Sequence, residues 1–335
     1  MRITVERLAR PRDPQLIDEL VELRRAVATV LEPDDPPIGP AELIPDLFVD
    51  RPEQSRAAWL ARSAERPVGL IVAGVNVEGA NAGYSEVEVD VHPDHLADGV
   101  EPALVREALP WMCQLGARTV AAWPAVEQRG AFEAVGLTFR QEERCSRADV
   151  GEIDAALLDE WIAAPRARAA GYRIETWAGP CPEHLVDEYA VARSAMADAP
   201  LDDIDFVPAA IDSERVRASD ASIEALGYLS LPALVLDIEG AAAGMTLLLV
   251  HPERPQLGHQ EDTAVVPAHR GHALGRWLKA ENLRRARSLV PELAVVETYN
   301  AASNPWMLSI NVDMGFRPHR PYYAYQANLD DLTVD

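Results

Sequence analysis

The chain of 335 residues contains little cysteine and almost no lysine. Its three cysteines, Cys113, Cys145 and Cys181, are odd in number and far apart, which gives no indication of a disulfide framework or a zinc site. Lys279 is the only lysine among many arginines. This bias, together with abundant alanine, is typical of high-GC coding and carries no information about mechanism.

The sequence also lacks long apolar runs. No run reaches the roughly 18 residues that span a bilayer, and the first ten residues, MRITVERLAR, contain no apolar signal-peptide core. We therefore expect a cytoplasmic protein that binds neither membrane nor metal.

Basic residues are scarce relative to acidic ones, and the formal net charge is −23. This charge opposes general nucleic-acid binding, which depends on Lys and Arg side chains neutralising phosphates. An acidic surface attracts a cationic acceptor such as an amine, although it also serves solubility alone. We expect no nucleic-acid partner, and the sequence leaves the oligomeric state open.

The stretch from Gln260 to Glu281 combines a strand, a tight turn with the sequence RGHALG (270–275) and a helix. Such a turn leaves backbone N–H groups without partners at a helix N-terminus, where the helix dipole also favours an anion. Small residues let a phosphate approach the backbone closely. The stretch therefore predicts a pyrophosphate site, with a turn that binds no ligand as the alternative.

Two segments of the chain follow a family pattern in order and spacing. Val265-Val266-Pro267 is followed by the 270–275 turn, and the strand 293–300 is followed by Asn304 and by Gly315-Phe316. In this order they resemble the GCN5-related N-acetyltransferase (GNAT) superfamily. One departure is Ala273, which stands where glycine is usual, and alanine allows close approach only where its φ is negative. The resemblance implies that acetyl-CoA is held by Val265, Val266, Arg270, Gly271, His272, Ala273, Leu274, Gly275, Asn300 and Asn304.

The order of predicted elements suggests that one unit occurs twice. Met1-Arg2-Ile3 aligns with Tyr172-Arg173-Ile174, and Val135-Gly136-Leu137 aligns with Met314-Gly315-Phe316. The alternative is a coincidental similarity between two α/β domains. We predict a first domain over 1–150, a linking helix over 151–170 and a second domain over 171–335.

The first copy carries unsuitable residues at the position of the phosphate turn. At an offset of 175, His95 takes the place of Arg270, and Asp98 takes the place of Ala273. A carboxylate there repels a pyrophosphate. We predict that the first copy has lost cofactor binding and has a structural role, unless a shift of register hides a second working site.

Acetyl transfer to an amine requires an oxyanion donor and a base. The resemblance implies that the N–H of Val265 or Val266 polarises the thioester carbonyl, as an oxyanion hole does. His259 and Glu261 are the candidate bases, because residues two apart on a strand share one face, whereas Asp262 points the other way. A histidine titrates near neutrality, and a glutamate needs burial to raise its pKa. For His259 a surface role on the strand is the alternative.

The acid that protonates the leaving thiolate is less well defined. Related proteins often use a Tyr four residues before the Gly of Gly-Phe, and this position is Asn311. Asparagine has no ionisable proton to give. Tyr323 is the candidate substitute that we select from Tyr299, Tyr322, Tyr323 and Tyr325, with protonation by solvent as the alternative.

The remaining polar residues have two interpretations each. Asn304 either caps a helix or contacts the pantetheine arm. Arg276 and Lys279 either meet an adenosine phosphate or lie on a solvated helix face, which we favour.

The resulting prediction is an α/β (α+β mixed-sheet) protein of two tandem GNAT-like domains, each a mixed twisted sheet flanked by helices. The second domain transfers an acetyl group from acetyl-CoA to the amine of a small molecule by direct attack. The alternatives are a non-catalytic acyl-CoA-binding scaffold and a protein N-acetyltransferase.

Overall fold

The computed structural model describes residues 2–124, 128–164, 167–168, 170–200, 202–208, 210–301 and 303–332. The chain forms two compact units, and neither is continuous in sequence. Unit 1 comprises Met1–Glu143, Leu201–Val207 and Pro321–Asp335, and unit 2 comprises Arg144–Pro200 and Pro208–Arg320. The predicted ranges follow chain order, whereas the structure places the C-terminal residues with the first half of the chain. None of the helices among the described residues has the length and apolar character needed to cross a membrane.

Unit 1 is built on a mixed sheet with the strand order β1-β2-β3-β4-β5-β12. All described pairings in it are antiparallel except the parallel pairing of β4 with β5. Its elements are β1 (Ile3–Arg7), α1 (Pro14–Leu31), α2 (Pro40–Phe48), β2 (Gln54–Ser63), β3 (Arg66–Asn76), β4 (Tyr84–Val91), α3 (Val100–Gln114), β5 (Thr119–Ala122), α4 (Arg129–Ala134), the start of β6 (Thr138–Asp149) and most of β12 (Arg317–Asn328).

Apolar residues cover both faces of this sheet. The alternating valines of β4 pack against α3, in a core that includes Val89 and Leu104. The apolar side of α1 packs on the opposite face, where Leu20 and Leu23 contact the core around Leu70.

The C-terminal strand belongs to unit 1 because its side chains complete that unit. Tyr325 of β12 is 1% exposed and pairs with Ala122 of β5. Its hydroxyl accepts a hydrogen bond from Arg129 Nε at 2.8 Å and donates one to Glu133 Oε1 at 2.7 Å. A buried tyrosine with a satisfied hydroxyl anchors the end of the chain in this sheet.

Unit 2 has the same kind of mixed sheet, with the strand order β11-β10-β9-β8-β7. Only the pairing of β10 with β11 is parallel among the described pairings of these strands. Its elements are α5 (Ala155–Ala163), β7 (Arg173–Thr176), α6 (Val186–Ser194), α7 (Ser213–Ala225), β8 (Leu229–Leu236), β9 (Ala242–Val250), β10 (Leu257–Val265), α8 (Leu274–Leu289), β11 (Val295–Ala301) and α9 (Pro305–Met314).

Helices cover both faces of the second sheet as well. Helix α8 packs with α5 on one face, through a core that contains Trp161 and Leu283. Helix α6 packs on the other face, where Tyr189 contacts the core around Met245. Helix α5 lies in the range predicted as a linker, and the structure shows that it contributes to the core of unit 2. The mixed sheets flanked by helices confirm the predicted α/β class.

Candidate active site

Strand β10 contains a bulge at Glu261 and Asp262. Its antiparallel register with β9 shifts by one residue between Gln260↔Leu248 and Thr263↔Thr246, so β10 carries one extra residue there. On the other side, the described parallel pairing of β10 with β11 runs from Leu257↔Val295 to His259↔Glu297. The described pairing ends here, and Thr298 Oγ1 of β11 still donates to the carbonyl of Gln260 at 3.0 Å. The space between β10 and β11 beyond this bond, next to the bulge, is called the gap.

The turn that follows β10 leaves backbone N–H groups without hydrogen-bond partners at the start of α8. A 3₁₀ turn over Pro267–His269 leads to Gly271, with φ +86°, and α8 begins at Leu274 without a side-chain cap. Among the described residues, the N–H groups of residues 271–276 have no hydrogen-bond acceptor. Unpartnered amides and the positive end of a helix dipole together form an anion-binding site.

The backbone of Ala273 differs from the prediction. We expected alanine to be tolerated here only with negative φ, but the structure gives this residue φ +60°, in the left-handed region. The turn requires this conformation because the chain reverses into α8 at this residue. An L-residue with a Cβ atom is strained in such a conformation.

This strain gives a stability prediction. Ala273→Gly should leave the free energy of unfolding unchanged or raise it by up to about 1 kcal/mol, because relief of strain offsets the added freedom of the unfolded chain. The matched control is Ala218→Gly, at an exposed position inside α7, which should cost about 1 kcal/mol. Urea unfolding measures both, and equal losses would contradict the strain at Ala273.

The side chains of the turn make contacts within unit 2. Arg270 Nη2 forms an exposed ion pair with Asp198 at 2.6 Å, and its Nε donates to the carbonyl of Val265. His272 Nδ1 lies 3.2 Å from the carbonyl oxygen of His269, and Tyr172 lies beside both rings. These contacts hold the turn in place and leave its amides open.

The structure separates the two candidate oxyanion donors. The N–H of Val266 donates to the carbonyl of Ala243 at 3.0 Å, so it is already used by β9. Because neighbouring residues of an antiparallel strand point their N–H groups to opposite sides, the N–H of Val265 points away from β9. Of the two, Val265 is therefore the donor directed towards the gap between β10 and β11.

His259 is held by a buried carboxylate that the sequence analysis did not identify. Its Nδ1 lies 3.0 Å from Oε1 of Glu297, whose Oε2 accepts from Arg147 Nη2 at 2.7 Å. Burial alone raises the pKa of Glu297, but the hydrogen bond and charge of His259, together with Arg147, outweigh it and lower the pKa to about 2. The only sequence signal for Glu297 is one acidic residue within the apolar strand run 293–299.

Glu261 lies at the bulge and differs sharply from Glu297. Surrounding protein atoms and the neighbouring charge of Asp262 raise its pKa to about 7, which the charge of His259 partly opposes. The side chain is nevertheless open to solvent, and water screens part of this effect. Asp262 itself lies 3.9 Å from Arg193, which supports a structural role. The cluster therefore combines one fixed anion, one histidine and one carboxyl group that titrates near neutrality.

The predicted acid does not belong to this cluster. Tyr323 lies in unit 1, where the guanidinium of Arg129 sits 4.3 Å from its ring centroid and Phe139 packs nearby. Unit 2 taken by itself therefore does not bring Tyr323 to His259 and Glu261.

The predicted amides lie at the gap and at the helix beside it. Asn300 is on β11 beyond the stretch paired with β10, and its Oδ1 accepts from Asn311 Nδ2 at 2.7 Å. Asn304 caps α9, because its Oδ1 accepts from the N–H of Met307 at 3.2 Å. The solvated face predicted for Lys279 is wrong: this side chain is 1% exposed.

Unit 1 repeats the strand–turn–helix arrangement with different residues. Pro93–His95, Gly99 and Val100 correspond to Pro267–His269, Ala273 and Leu274, an offset of 174 residues rather than the predicted 175. The predicted pairing of Asp98 with Ala273 is therefore wrong by one residue. At the corrected offset, Gly275 is replaced by Glu101.

The corrected comparison still places a carboxylate at the turn of unit 1. Glu101 lies in the first turn of α3, and burial raises its pKa. Strand β4 also keeps one register with β3 from Gly69↔Val91 to Val75↔Ser85, so the described residues of β4 contain no counterpart of the β10 bulge. Unit 1 thus differs from unit 2 in lacking the bulge and in carrying a carboxylate at its turn, although the described parallel pairing of β4 with β5 also covers only three residues.

Comparison with known proteins shows which proteins share this fold. A tandem GNAT protein from the clavulanic acid biosynthesis pathway is 23% identical, with a TM-score of 0.80 over 98% of each chain. Residues 204–308 match the model of the acetyltransferase (GNAT) family. The chain therefore has the tandem GNAT fold, and the family whose model matches part of it uses acetyl-CoA as acyl donor.

Two further solved structures share the fold of this chain. A GCN5-related N-acetyltransferase from Sphaerobacter thermophilus is 16% identical, with a TM-score of 0.67 over 97% of this chain and 95% of that chain. A putative acetyltransferase from Pyrococcus horikoshii is 12% identical, with a TM-score of 0.58 over 97% of this chain and 89% of that chain. No curated protein matches the chain in sequence.

Proposed function

We propose that unit 2 transfers the acetyl group of acetyl-CoA to the primary amine of a small molecule, and that unit 1 does not bind the cofactor. The open amides of residues 271–276, next to the gap between β10 and β11, carry this proposal. They fit a pyrophosphate, and the gap fits the extended arm that joins it to the thioester. Glu101 and the unbroken β4 register support the inactivity of unit 1.

The side chains at the gap support direct attack by the amine. Glu261 accepts the proton of the attacking amine, because a base is most effective when its pKa lies near the working pH. His259, held by Glu297, stabilises the ionised form of Glu261 through its charge. The N–H of Val265 stabilises the oxyanion, and solvent protonates the leaving thiolate, since a thiol has a pKa of ~8.5.

The acidity of the protein supports an amine as the acceptor. The formal net charge is −23, and the exposed Glu261 lies beside Asp262 at the gap. An amine in its ammonium form is attracted by this field before it loses its proton to the base.

Calorimetric titration with acetyl-CoA tests the cofactor site. We expect one equivalent per chain, and Gly271→Asp should weaken binding at least about tenfold, because its carboxylate competes for the open amides. Gly271→Asn is the matched control, since it has the same shape and tolerates positive φ without the charge. Two equivalents per chain, or equal affinities for the two variants, would contradict the proposal.

Asn311 favours one alternative, a protein that binds acyl-CoA without turnover. This residue occupies the place where a proton donor is expected, and an amide cannot supply a proton. Release of free thiol, measured over a panel of small amines, separates the two functions. Binding of acetyl-CoA without thiol release on any amine would support the scaffold.

A further inference from the structure

The only lysine of the chain lies inside unit 2 without a carboxylate partner among the described residues. Lys279 of α8 is 1% exposed, and its Nζ lies 2.6 Å from Oδ1 of Asn311 and 5.5 Å from the ring centroid of Phe316. Burial lowers its pKa to about 7. A buried amino group with one specific acceptor is costly to desolvate, which makes its retention informative.

The hydrogen bond of Lys279 continues to the gap between β10 and β11. Asn311 of α9 is also 1% exposed, and its Nδ2 donates to Oδ1 of Asn300 at 2.7 Å. Asn300 lies on β11 beyond its paired stretch and is only partly buried. One chain of hydrogen bonds therefore connects the interior of α8, through α9, to the strand that lines the gap.

This chain of hydrogen bonds runs in one direction, from donor to acceptor. The amino group of Lys279 donates to the oxygen of Asn311, and the amino group of Asn311 donates to the oxygen of Asn300. Asn300 must then use its oxygen to accept from Asn311. The amino group of Asn300 is left as the donor that this side chain can offer to a ligand.

We propose that Lys279 is a positioning residue, which through Asn311 orients Asn300 so that its amino group donates to a carbonyl of the pantetheine arm of the acyl donor. This inference rests on the proposed function, because it requires acetyl-CoA to lie in the gap of unit 2. It goes beyond that function by explaining why an asparagine at position 311 and a lysine at position 279 occur together.

The substitution Asn311→Asp is expected to reverse the direction of this chain of hydrogen bonds. The new carboxylate pairs with Lys279 and can only accept, so Asn300 must turn its amino group towards residue 311 and its oxygen towards the gap. The oxygen of Asn300 then faces the carbonyl of the pantetheine arm, so two acceptors meet where the wild type has a donor and an acceptor. We expect the dissociation constant of acetyl-CoA to rise about tenfold or more, whereas the melting temperature stays the same or rises.

The control is Ser309→Asp, which adds the same charge at an exposed position of the same helix. Ser and Asp have similar helix propensities, so this variant should bind acetyl-CoA within about twofold of the wild type, a difference too small to reflect the loss of a contact. A purely structural role for Asn311 predicts that stability and affinity change together. Loss of affinity at unchanged or higher stability is a result that only the positioning role predicts.

Lys279→Met provides a second test that does not depend on a new charge. Methionine fills a similar volume without a donor, so the fold should keep its stability while Asn311 becomes free to turn. We expect acetyl-CoA affinity to fall a few-fold. Because the chain has one lysine, lysine labelled with ¹⁵N gives a single side-chain signal, and this signal should shift when acetyl-CoA is added.

The outcomes distinguish the two proposals. If the wild type does not bind acetyl-CoA, the proposed function fails. If the wild type binds and both Asn311→Asp and Lys279→Met bind as tightly, the positioning role of Lys279 is overturned and the proposed function stands.

Discussion

Glu261→Gln is expected to lower the turnover number for amine acetylation by about 10²- to 10⁴-fold, the usual contribution of a general base. The amide keeps the shape of the side chain at the bulge but cannot accept the proton of the amine. Acetyl-CoA binding should not change, because the open amides of residues 271–276 lie in the turn and not at Glu261. Steady-state kinetics and calorimetry on the same preparations measure both.

The pH dependence of the rate provides a sharper form of this test. The pKa of Glu261 is raised to about 7, so its base form is lost as the pH falls below this value, and wild-type activity should fall with it. This fall in rate at low pH, the acid limb of the pH profile, should be absent in Glu261→Gln. Asp262→Asn removes a negative neighbour that contributes to the raised pKa, so it should shift the limb to lower pH while most of the rate remains.

His259→Gln is the variant that separates the two candidate bases. Loss of the histidine charge should raise the pKa of Glu261 and shift the limb to higher pH, with a smaller loss of rate at alkaline pH. If His259→Gln instead abolishes turnover while Glu261→Gln keeps it and its pH profile, the base is His259.

Local patterns in the sequence indicate some elements and hide others. The periodicity of apolar residues predicts a helix over residues 14–31, where the structure has α1. Helix α2 does not follow from the local pattern, because Pro40 and Pro45 are typical of a loop. Pro40 occupies the first helical position, where its missing N–H costs nothing, and Leu43 and Leu47 are buried against the sheet.

The offset between the two copies is not constant along the chain. Before the bulge, Tyr84 of β4 corresponds to Leu257 of β10, an offset of 173, and after it Val100 corresponds to Leu274, an offset of 174. The extra residue at the bulge changes the offset without changing the order of the elements, so a single offset of 175 cannot fit both sides of it. A few matching letters cannot reveal such an insertion, because its effect is on backbone pairing.

The contacts between polar side chains at the site could not be predicted from local sequence patterns, for a different reason. Glu297 meets His259 and Arg147, which lie 38 and 150 residues away in sequence. Lys279 meets Asn311 across 32 residues. These contacts depend on which strands and helices become neighbours, whereas the turn at 270–275 was recognisable because all of its parts are adjacent in the chain.

Replacing Glu297 by alanine should reduce the free energy of unfolding by about 3–5 kcal/mol, as is usual when one partner of a buried ion pair is removed. The side chain is 5% exposed and neutralises Arg147, which is 12% exposed. Glu297→Gln keeps the volume and one acceptor, so its loss should be smaller. Glu183→Ala is the control, because it breaks an exposed ion pair with Arg217, and it should cost no more than about 1 kcal/mol.

The loss in Glu297→Gln should also depend on pH in a defined direction. The folded pKa of Glu297 is lowered to about 2, from an ordinary value of 4.5, so its ionised form stabilises the fold above about pH 4.5. This contribution declines as the pH falls towards 2, and the difference between wild type and Glu297→Gln should shrink over the same range. Denaturant titrations at pH 7, 5, 4 and 3 measure that difference, and a difference independent of pH would mean that Glu297 stabilises unit 2 through packing and not through its charge.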